Sequence, residues 1–324
     1  MPFGALTHIG LGKEATWGTP VASTEYLQFV SEGINEEIEQ IISAAQRGIV
    51  DESASFEGLH NIAGDISFEV YPNVLGHMLR AAFGEPVTTQ PDATGSPTVY
   101  QHVFTPVQDN FSSLCALPPY TLEVHRDLEQ AFQYTGAVVN DLTLSFGTDQ
   151  KIMQGSAAVI AKTLQLIAKT APSFEVTNPF LWHQAKISIN GAENKDVQTL
   201  QFGVNNSLEG RTTLSGTREI SRIRRTGRRT FPVNFTFDLS DLSEFNRFRA
   251  QQEVATRIEL TGDVISGTFT YKLIIDIPKL RYTAFPINIG GSEQITAQAT
   301  GVAKYDPASN FAMKVTLVNT KQSY

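Results

Sequence analysis

The sequence has one cysteine, Cys115, in 324 residues. A single thiol excludes an intrachain disulfide and a cysteine-built zinc site. Its neighbours Leu114, Ala116 and Leu117 are apolar, so Cys115 reads as a small core hydrophobe rather than a nucleophile. Long apolar runs are missing as well. Phe269 to Ile277 is interrupted by polar residues, and no stretch approaches the roughly 20 apolar residues of a membrane helix. Met1 to Gly12 lacks the basic start and apolar stretch of a signal peptide. These absences predict a soluble protein held in the cytoplasm until it is used.

Catalytic patterns are also absent. The six histidines, His8, His60, His77, His102, His125 and His183, give no metal-ligand spacing. His77 falls in a predicted helix, at a core or rim position. There is no Gly-x-Ser-x-Gly elbow, and Gly10-Leu11-Gly12-Lys13 lacks the rest of a phosphate loop. Gly290-Gly291 reads as a turn. Trp17 and Trp182 stand alone, as core or interface anchors rather than a sugar platform. These absences predict no enzyme, no cofactor and no bound metal.

Hydrophobic residues make up 41% of the chain and charged residues 18%, enough apolar material for a real core. The net charge of −8 is unevenly placed. Through Thr170 there are 7 Lys+Arg and 19 Asp+Glu; the remainder has 18 and 14. Such asymmetry marks an interaction surface.

Alternation with a period of two dominates. Ile66, Phe68 and Val70 alternate with Ser67, Glu69 and Tyr71; Val233, Phe235, Phe237 and Leu239 with Asn234, Thr236 and Asp238; Leu142, Leu144 and Phe146 with Thr143 and Ser145. This predicts strands with one buried face. Two segments have helical spacing. One is capped by Asn73 after Pro72, carries Val74, Leu75, Met78, Leu79, Ala82 and Phe83, and stops at Gly84. The other is capped by Ser240 or Asp241, with Leu242, Phe245 and Phe248 on one face. Each has a single apolar stripe that predicts packing on a sheet. The fold class is therefore mainly β with a few short helices.

The two helices sit in matching contexts. Each is preceded by a strand (Gly64 to Tyr71; Pro232 to Leu239) and, before that, by a long charged segment (Glu32 to Glu57; Glu209 to Arg229). Each is followed by a short strand (Tyr120 to Val124; Thr256 to Leu260) and a strand pair. The pairs are Ala137 to Phe146 with Met153 to Lys162, and Phe269 to Ile277 with Gln294 to Lys304. The pattern predicts a duplication: one unit over 1–168, a linker over 169–180, and a second unit over 181–324. The first unit carries an extra excursion, Glu85 to Pro119, rich in Thr, Pro, Gly and Ser, which reads as loop.

Several segments then resemble a known family. Gly10-Leu11-Gly12-Lys13-Glu14-Ala15-Thr16-Trp17-Gly18-Thr19-Pro20 is similar to the E-x-x-x-G-T opening of phage tail tube proteins. Gly64-Asp65-Ile66-Ser67-Phe68-Glu69-Val70 leads through Pro72 to a helix ending Ala82-Phe83-Gly84, as in that family. Tyr134-Thr135-Gly136-Ala137-Val138-Val139-Asn140-Asp141-Leu142 resembles its Y-x-G-x-x-V-x-x-L segment, and Ile160-Ala161-Lys162 fits its close. The resemblance implies two tandem rolled β-sandwich or β-barrel folds, each with a flanking helix. It implies a major tail tube subunit whose rings stack into a channel for DNA. With a fused double copy, three chains make a pseudo-sixfold ring; the alternative is a hexamer. The implied partners are further copies of the chain, a tape-measure protein, tail initiator or distal tail proteins, and a tail terminator. DNA passes without specific binding and no membrane is involved. The implied location is the virion tail. Alternative readings are another tail component of the same fold, such as a terminator or distal tail or hub protein, or a β-sandwich binding module.

The charged segments sharpen this reading. Glu32, Glu36, Glu37, Glu39, Asp51 and Glu52 lie in the first hairpin. Arg211, Arg218, Arg222, Arg224, Arg225, Arg228 and Arg229 lie in its counterpart. Pairing of the two in neighbouring copies would set register, since complementary charge confers specificity more than affinity. A conduit should repel phosphate, which makes Glu57, Asp65 and Glu69 candidates to face the channel. The charged hairpins and the excursion are candidates for loops that order on assembly.

Overall fold

Residues 1–52, 54–289 and 294–324 are described in a computed structural model of the chain. The turn expected at Gly290-Gly291 lies outside them. The first half contains β1 (His8–Lys13), β2 (Glu25–Leu27), β3 (Phe29–Glu32), β4 (Asn35–Ile42), β5 (Ser55–Glu69), α1 (Leu75–Phe83), β6 (Val87–Thr89), β7 (Tyr100–Phe104), β8 (Tyr120–His125), β9 (Gln130–Gly147), β10 (Gln154–Ala161) and β11 (Thr163–Ala168). The second contains β12 (Ala185–Ile189), β13 (Ala192–Glu193), β14 (Val197–Asn205), β15 (Leu208–Arg211), β16 (Arg222–Arg225), β17 (Pro232–Asp238), α2 (Ser243–Arg249), β18 (Val254–Ser266), β19 (Phe269–Ala284), β20 (Thr296–Ala303) and β21 (Lys314–Asn319). The described residues are mainly β with two α-helices, as the alternation predicts, and among them the sheets form a β-sandwich type of fold that does not close into a barrel.

The long strand β9 serves two sheets. Its first part pairs with β8 and β11, its second with β10. Gly136, at φ +69°, stands between the two parts, a backbone state that favours glycine. Beyond β10 come β5 and then β3 and β4. The second half repeats this order strand for strand. β12, β18 and β19 pair in series, and β19 continues to β20, β17 and β14. Three bulges recur at matching places. The step Phe29/Ser31 against β5 matches Val197/Thr199 against β17. Ala158/Val159 on β10 matches the step at Tyr282/Ala284 opposite β20. Tyr120/Leu122 on β8 matches Val254/Thr256 on β18. Each bulge inserts a residue and shifts the facing pattern beyond it, so agreement in all three carries more weight than agreement in strand order.

The halves join through β9 and β14. These pair antiparallel over seven positions, with Leu144 opposite Phe202 and Phe146 opposite Leu200. One sheet therefore runs β3/β4, β5, β10, β9, β14, β17, β20, β19. A second join corrects the sequence reading of Glu85 to Pro119 as loop. This excursion supplies β6 and β7, and β7 pairs with β21 of the other half. It also buries Val99, Phe104, Cys115, Ala116 and Leu117, which sequence composition averaged over the whole segment conceals.

Both helix assignments hold, with changed surroundings. All nine residues of α1 are buried, including His77 and Arg80, so it has no wet face. Arg80 keeps its charge satisfied by a fork to Glu85. Asn73 does not cap α1; its side chain accepts from Thr320. The cap comes from Glu175 in the 169–180 segment, whose carboxylate accepts from the Val74 N–H at 2.8 Å and the Asn73 N–H at 3.4 Å. That partner is about 100 residues away in sequence, beyond any local signal. At α2, Asp241 accepts from the Ser243 N–H at 2.7 Å, as expected of a cap. Phe245 and Phe248 face the core, while Leu242 is 53% exposed and off that face.

Candidate assembly and channel surfaces

Alternation sorts the joined sheet into two faces. Ile66, Phe68, Leu144, Phe146, Leu200, Phe202, Phe235 and Phe237 are buried on the core side. The opposite face carries Asp65, Ser67 and Glu69 from β5, Gln154 and Ser156 from β10, and Asp141, Thr143 and Ser145 from β9. Across the join it continues with Thr199 and Gln201 from β14, Asn234, Thr236 and Asp238 from β17, and Thr296, Gln298 and Thr300 from β20. Those positions hold four carboxylates and no lysine or arginine. The short polar groups bond one another: Asn205 donates to Asp141 at 2.9 Å across the join, Thr199 to Thr236 at 2.7 Å, and Asn234 to Gln201 at 3.1 Å. The face is thus acidic, smooth and internally satisfied. Asp65 and Glu69 lie on it. Glu57 lies further up the β4–β5 arm, bound to His60 and Arg218.

The two charged segments are both antiparallel hairpins, β4–β5 and β15–β16. In the acidic arm, His60 bridges Glu36 at 2.8 Å and Glu57 at 2.7 Å. The Glu36 bond, followed by that to Glu57, holds the imidazole pKa above its ordinary value. Glu39 accepts from the Leu59 N–H, while Glu37, Asp51 and Glu52 are exposed. Glu32 belongs to the sheet edge instead, where it pairs with Arg126.

The basic arm divides differently from a uniform row of seven. Arg218 meets Glu57 at 2.5 Å, an ion pair that ties the two hairpins together within the chain. Arg211 pairs with Glu209 on its own arm. Arg224 donates to the Ser113 carbonyl, Arg225 to Asn110 at 3.2 Å and Arg229 to the Val107 carbonyl at 2.6 Å. These three tie the arm down onto the excursion. Burial pushes the Arg229 pKa down to about 10, with Arg225 adding repulsion. Arg211, Arg218, Arg222 and Arg228 are exposed, and among the described residues the side chains of Arg222 and Arg228 make no ion pair or hydrogen bond. Beneath the arm, Ile223 bridges Cys115 in a small second core with Trp17, Leu117 and Leu208. The Cys115 thiol donates to the Leu117 carbonyl, and burial raises its pKa to about 12, so it is no nucleophile.

The sequence motifs converge on one point next to that core. Glu14 is 1% exposed, and its carboxylate accepts from the Gly18 N–H at 2.8 Å, the Gly136 N–H at 2.7 Å and the Thr121 hydroxyl at 2.8 Å. The Trp17 indole donates to the Gly136 carbonyl at 3.0 Å. A side chain at Gly136 would collide with that indole. Opening motif and β9 motif are therefore one hydrogen-bonded unit. A family model described as phage tail tube protein matches residues 4–303. The chain belongs to the phage tail tube protein family. No curated protein matches it. Membership makes it a structural component of a phage tail, and none of its described helices is long and apolar enough to cross a membrane.

In this tail tube protein two of the three channel candidates, Asp65 and Glu69, share one face with Asp141, Asp238, Gln201 and Asn234, whose membership no sequence pattern announced, while Glu57 stands apart on the arm. Alternation gave each strand's outward residues. It did not give the β9–β14 pairing that sets them side by side.

Proposed function

We propose that this chain is the major tail tube subunit, built of two tandem tube units over 1–168 and 181–324 with 169–180 between them. The repeated pairing order and the three matching bulges support the duplication. Three chains then close a pseudo-sixfold ring, and rings stack into a channel that conducts DNA from the virion. The observation that carries this reading is the polar face of β5, β10, β9, β14, β17 and β20, whose outward positions named above hold four carboxylates and no basic group, with Arg281 of β19 at its margin. Lining a channel, it repels the phosphate backbone and leaves DNA free to slide. Asp65, Glu69, Asp141 and Asp238 are the channel charges. Copies of the chain are the main partner. A tape-measure protein, an initiator or distal tail protein and a terminator are the others the family role requires.

The charged hairpins set register between copies. Exposed Glu37, Asp51 and Glu52 meet Arg222 and Arg228 of another chain, as Glu57 meets Arg218 within one. Complementary charge suits that task. Electron microscopy of the purified chain at raised concentration tests the reading. Hollow stacked rings are expected, with rotational averaging giving three chains per ring. A chain that stays monomeric even with an initiator supplied would overturn it. Charge reversal at Arg222 and Arg228, which make no side-chain bond to the excursion, is expected to block stacking without unfolding the chain.

A further inference from the structure

The joined sheet has two ends. At one, β3 and β4 pair, among the described residues, with β5 alone. At the other, β19 pairs with β20 through Ala284, and Ile287 bridges Ala297 beyond it. The internal β9–β14 join is a worked example of how such edges meet. The matching bulges fix which residues correspond. Phe29 and Phe68 occupy the places of Val197 and Phe237, so Ile34 corresponds to Phe202. Asp141 occupies the place of Ala284, so Leu144 corresponds to Ile287. The bridge from Ile287 to Ala297 repeats the pairing of Leu144 with Gly155.

We propose that β3–β4 of one chain pairs antiparallel with Phe285–Ile289 of a second copy in the register of the β9–β14 join, placing Ile34 opposite Ile287. This rests on the ring reading and names its contacts. Glu32 then faces Ile289, Asn35 faces Pro286 and Glu36 faces Phe285.

Two independent features agree with that register. The first is burial. Ile34 and Phe285 are buried and Ile287 half-buried, whereas Asn35, Pro286 and Asn288 are exposed. The transposed pairing sets core-side residues against core-side residues, as a sheet requires. A slip of one residue would set them against the wet face. The second is backbone direction. The Gly33 N–H donates inward to Asp65, which turns the backbone groups of Ile34 outward. The Pro286 carbonyl accepts inward from Gln298, which turns those of Ile287 outward. Both members of the central pair thus turn their N–H and C=O away from their own sheet neighbour; in the lone chain those of Ile34 are held by Glu32, Arg126 and Tyr134, which the new joint replaces. Pro286, which has no N–H, falls where that donor would point inward, so it removes nothing from the new joint.

A disulfide reports the register. Asn35 and Pro286 form a pair without mutual hydrogen bonds across the joint, with Cα atoms about 4.5 Å apart, within disulfide range. The full-length chain carrying Asn35→Cys and Pro286→Cys is assembled, imaged and then oxidised. The single variants serve as folding controls, and Cys115 is buried. The expected result is conversion of most of the chain from a monomer band to a covalent band at the ring's own chain number under non-reducing conditions. The single variants are expected to remain monomeric on the gel. A pair shifted by four residues, Glu37→Cys with Asn288→Cys, is expected to give no such band. Rings that form yet link at the shifted pair, or at neither, overturn the register and leave the ring reading intact. An unmodified chain that forms no rings overturns both.

Discussion

Glu32 and Arg126 form a two-point ion pair, at 2.7 and 3.0 Å, that occupies both backbone groups of Ile34. Glu32 accepts from the Ile34 N–H at 3.2 Å, and Arg126 donates to the Ile34 carbonyl at 2.6 Å, joined there by the Tyr134 hydroxyl. The strand is interrupted at Gly33–Ile34 between β3 and β4, whereas β14, its counterpart, runs unbroken. A free edge is an aggregation hazard, and blocking it with charge is a known defence. The pair therefore guards the edge on the lone chain. Arg126→Ala is expected to lower the concentration needed for assembly several-fold and to speed hydrogen exchange at the Ile34 amide in the monomer. The cost in stability should be about 1–3 kcal/mol, as for a hydrogen-bonded charge. Slower assembly with unchanged exchange would mean that Arg126 serves the assembled joint instead.

Gly76 and Tyr324 make a second long-range fit. A Cβ on Gly76 would lie 2.0 Å from the Tyr324 ring, which packs edge-on to His77 and His102. Replacing glycine by alanine inside a helix ordinarily stabilises by about 0.5–1 kcal/mol. Here the sign reverses. Gly76→Ala is expected to cost about 1–3 kcal/mol through overpacking, read by chemical denaturation. Paired with Tyr324→Ala, the same change should be neutral or favourable. Additive losses in the double variant would dismiss the contact.

These relations mark the limit of what the residues declare by themselves. The alternation at Ile66–Val70 and Val233–Leu239 located strands because one face must be buried. The recurrence of strand, helix and strand pair was visible for the same reason. The Asn73 cap failed because Glu175 sits closer in space than any neighbour in sequence, and β6 and β7 were missed because β7 finds its partner, β21, in the other half. At the charged hairpins the charges were countable, but counting did not separate the arginines that hold the excursion, Arg224, Arg225 and Arg229, from the exposed Arg222 and Arg228. Packing decides that division, and it depends on carbonyls at Val107 and Ser113 that carry no sequence signature.

Glu175 makes the α1 cap sensitive to pH. Burial, only partly offset by the Asn73 and Val74 amides, raises its pKa to about 7. An acid whose pKa rises on folding binds more protons folded than unfolded. Its contribution is therefore greatest in acid and is lost as pH rises from about 4.5 through about 7. His77 acts in the opposite sense: burial lowers its pKa to about 3, so stability falls as pH drops below 6.5. A single melting profile mixes the two, and comparison with Glu175→Gln separates them. The variant keeps an acceptor for the cap but carries no charge. Its melting temperature relative to the unmodified chain should rise between pH 5 and pH 8, by on the order of several degrees. A constant difference would show that Glu175 does not titrate in that window.

The channel reading has a test that needs no phage. Thr236 stands in the middle of the polar face, bonded to Thr199 and flanked by Gln201 and Asn234. Its side chain is on the wet side of β17, so a lysine there needs no buried charge. Thr236→Lys is expected to fold and form tubes of normal diameter, because the core-side residues Phe235 and Phe237 are untouched. In stacked rings the change repeats along the tube and gives an acidic surface a ladder of cations. Each cation that meets a phosphate releases a counterion, so binding should strengthen with the number of lysines and weaken steeply with salt. Tubes of the variant should retain short duplex DNA at low salt and release it as salt rises, whereas unmodified tubes should retain none. A lysine on the outer sheet, at Thr261 for instance, controls for adhesion to the tube exterior. If unmodified tubes hold DNA as firmly as the variant, the polar face does not line the passage and some other surface must.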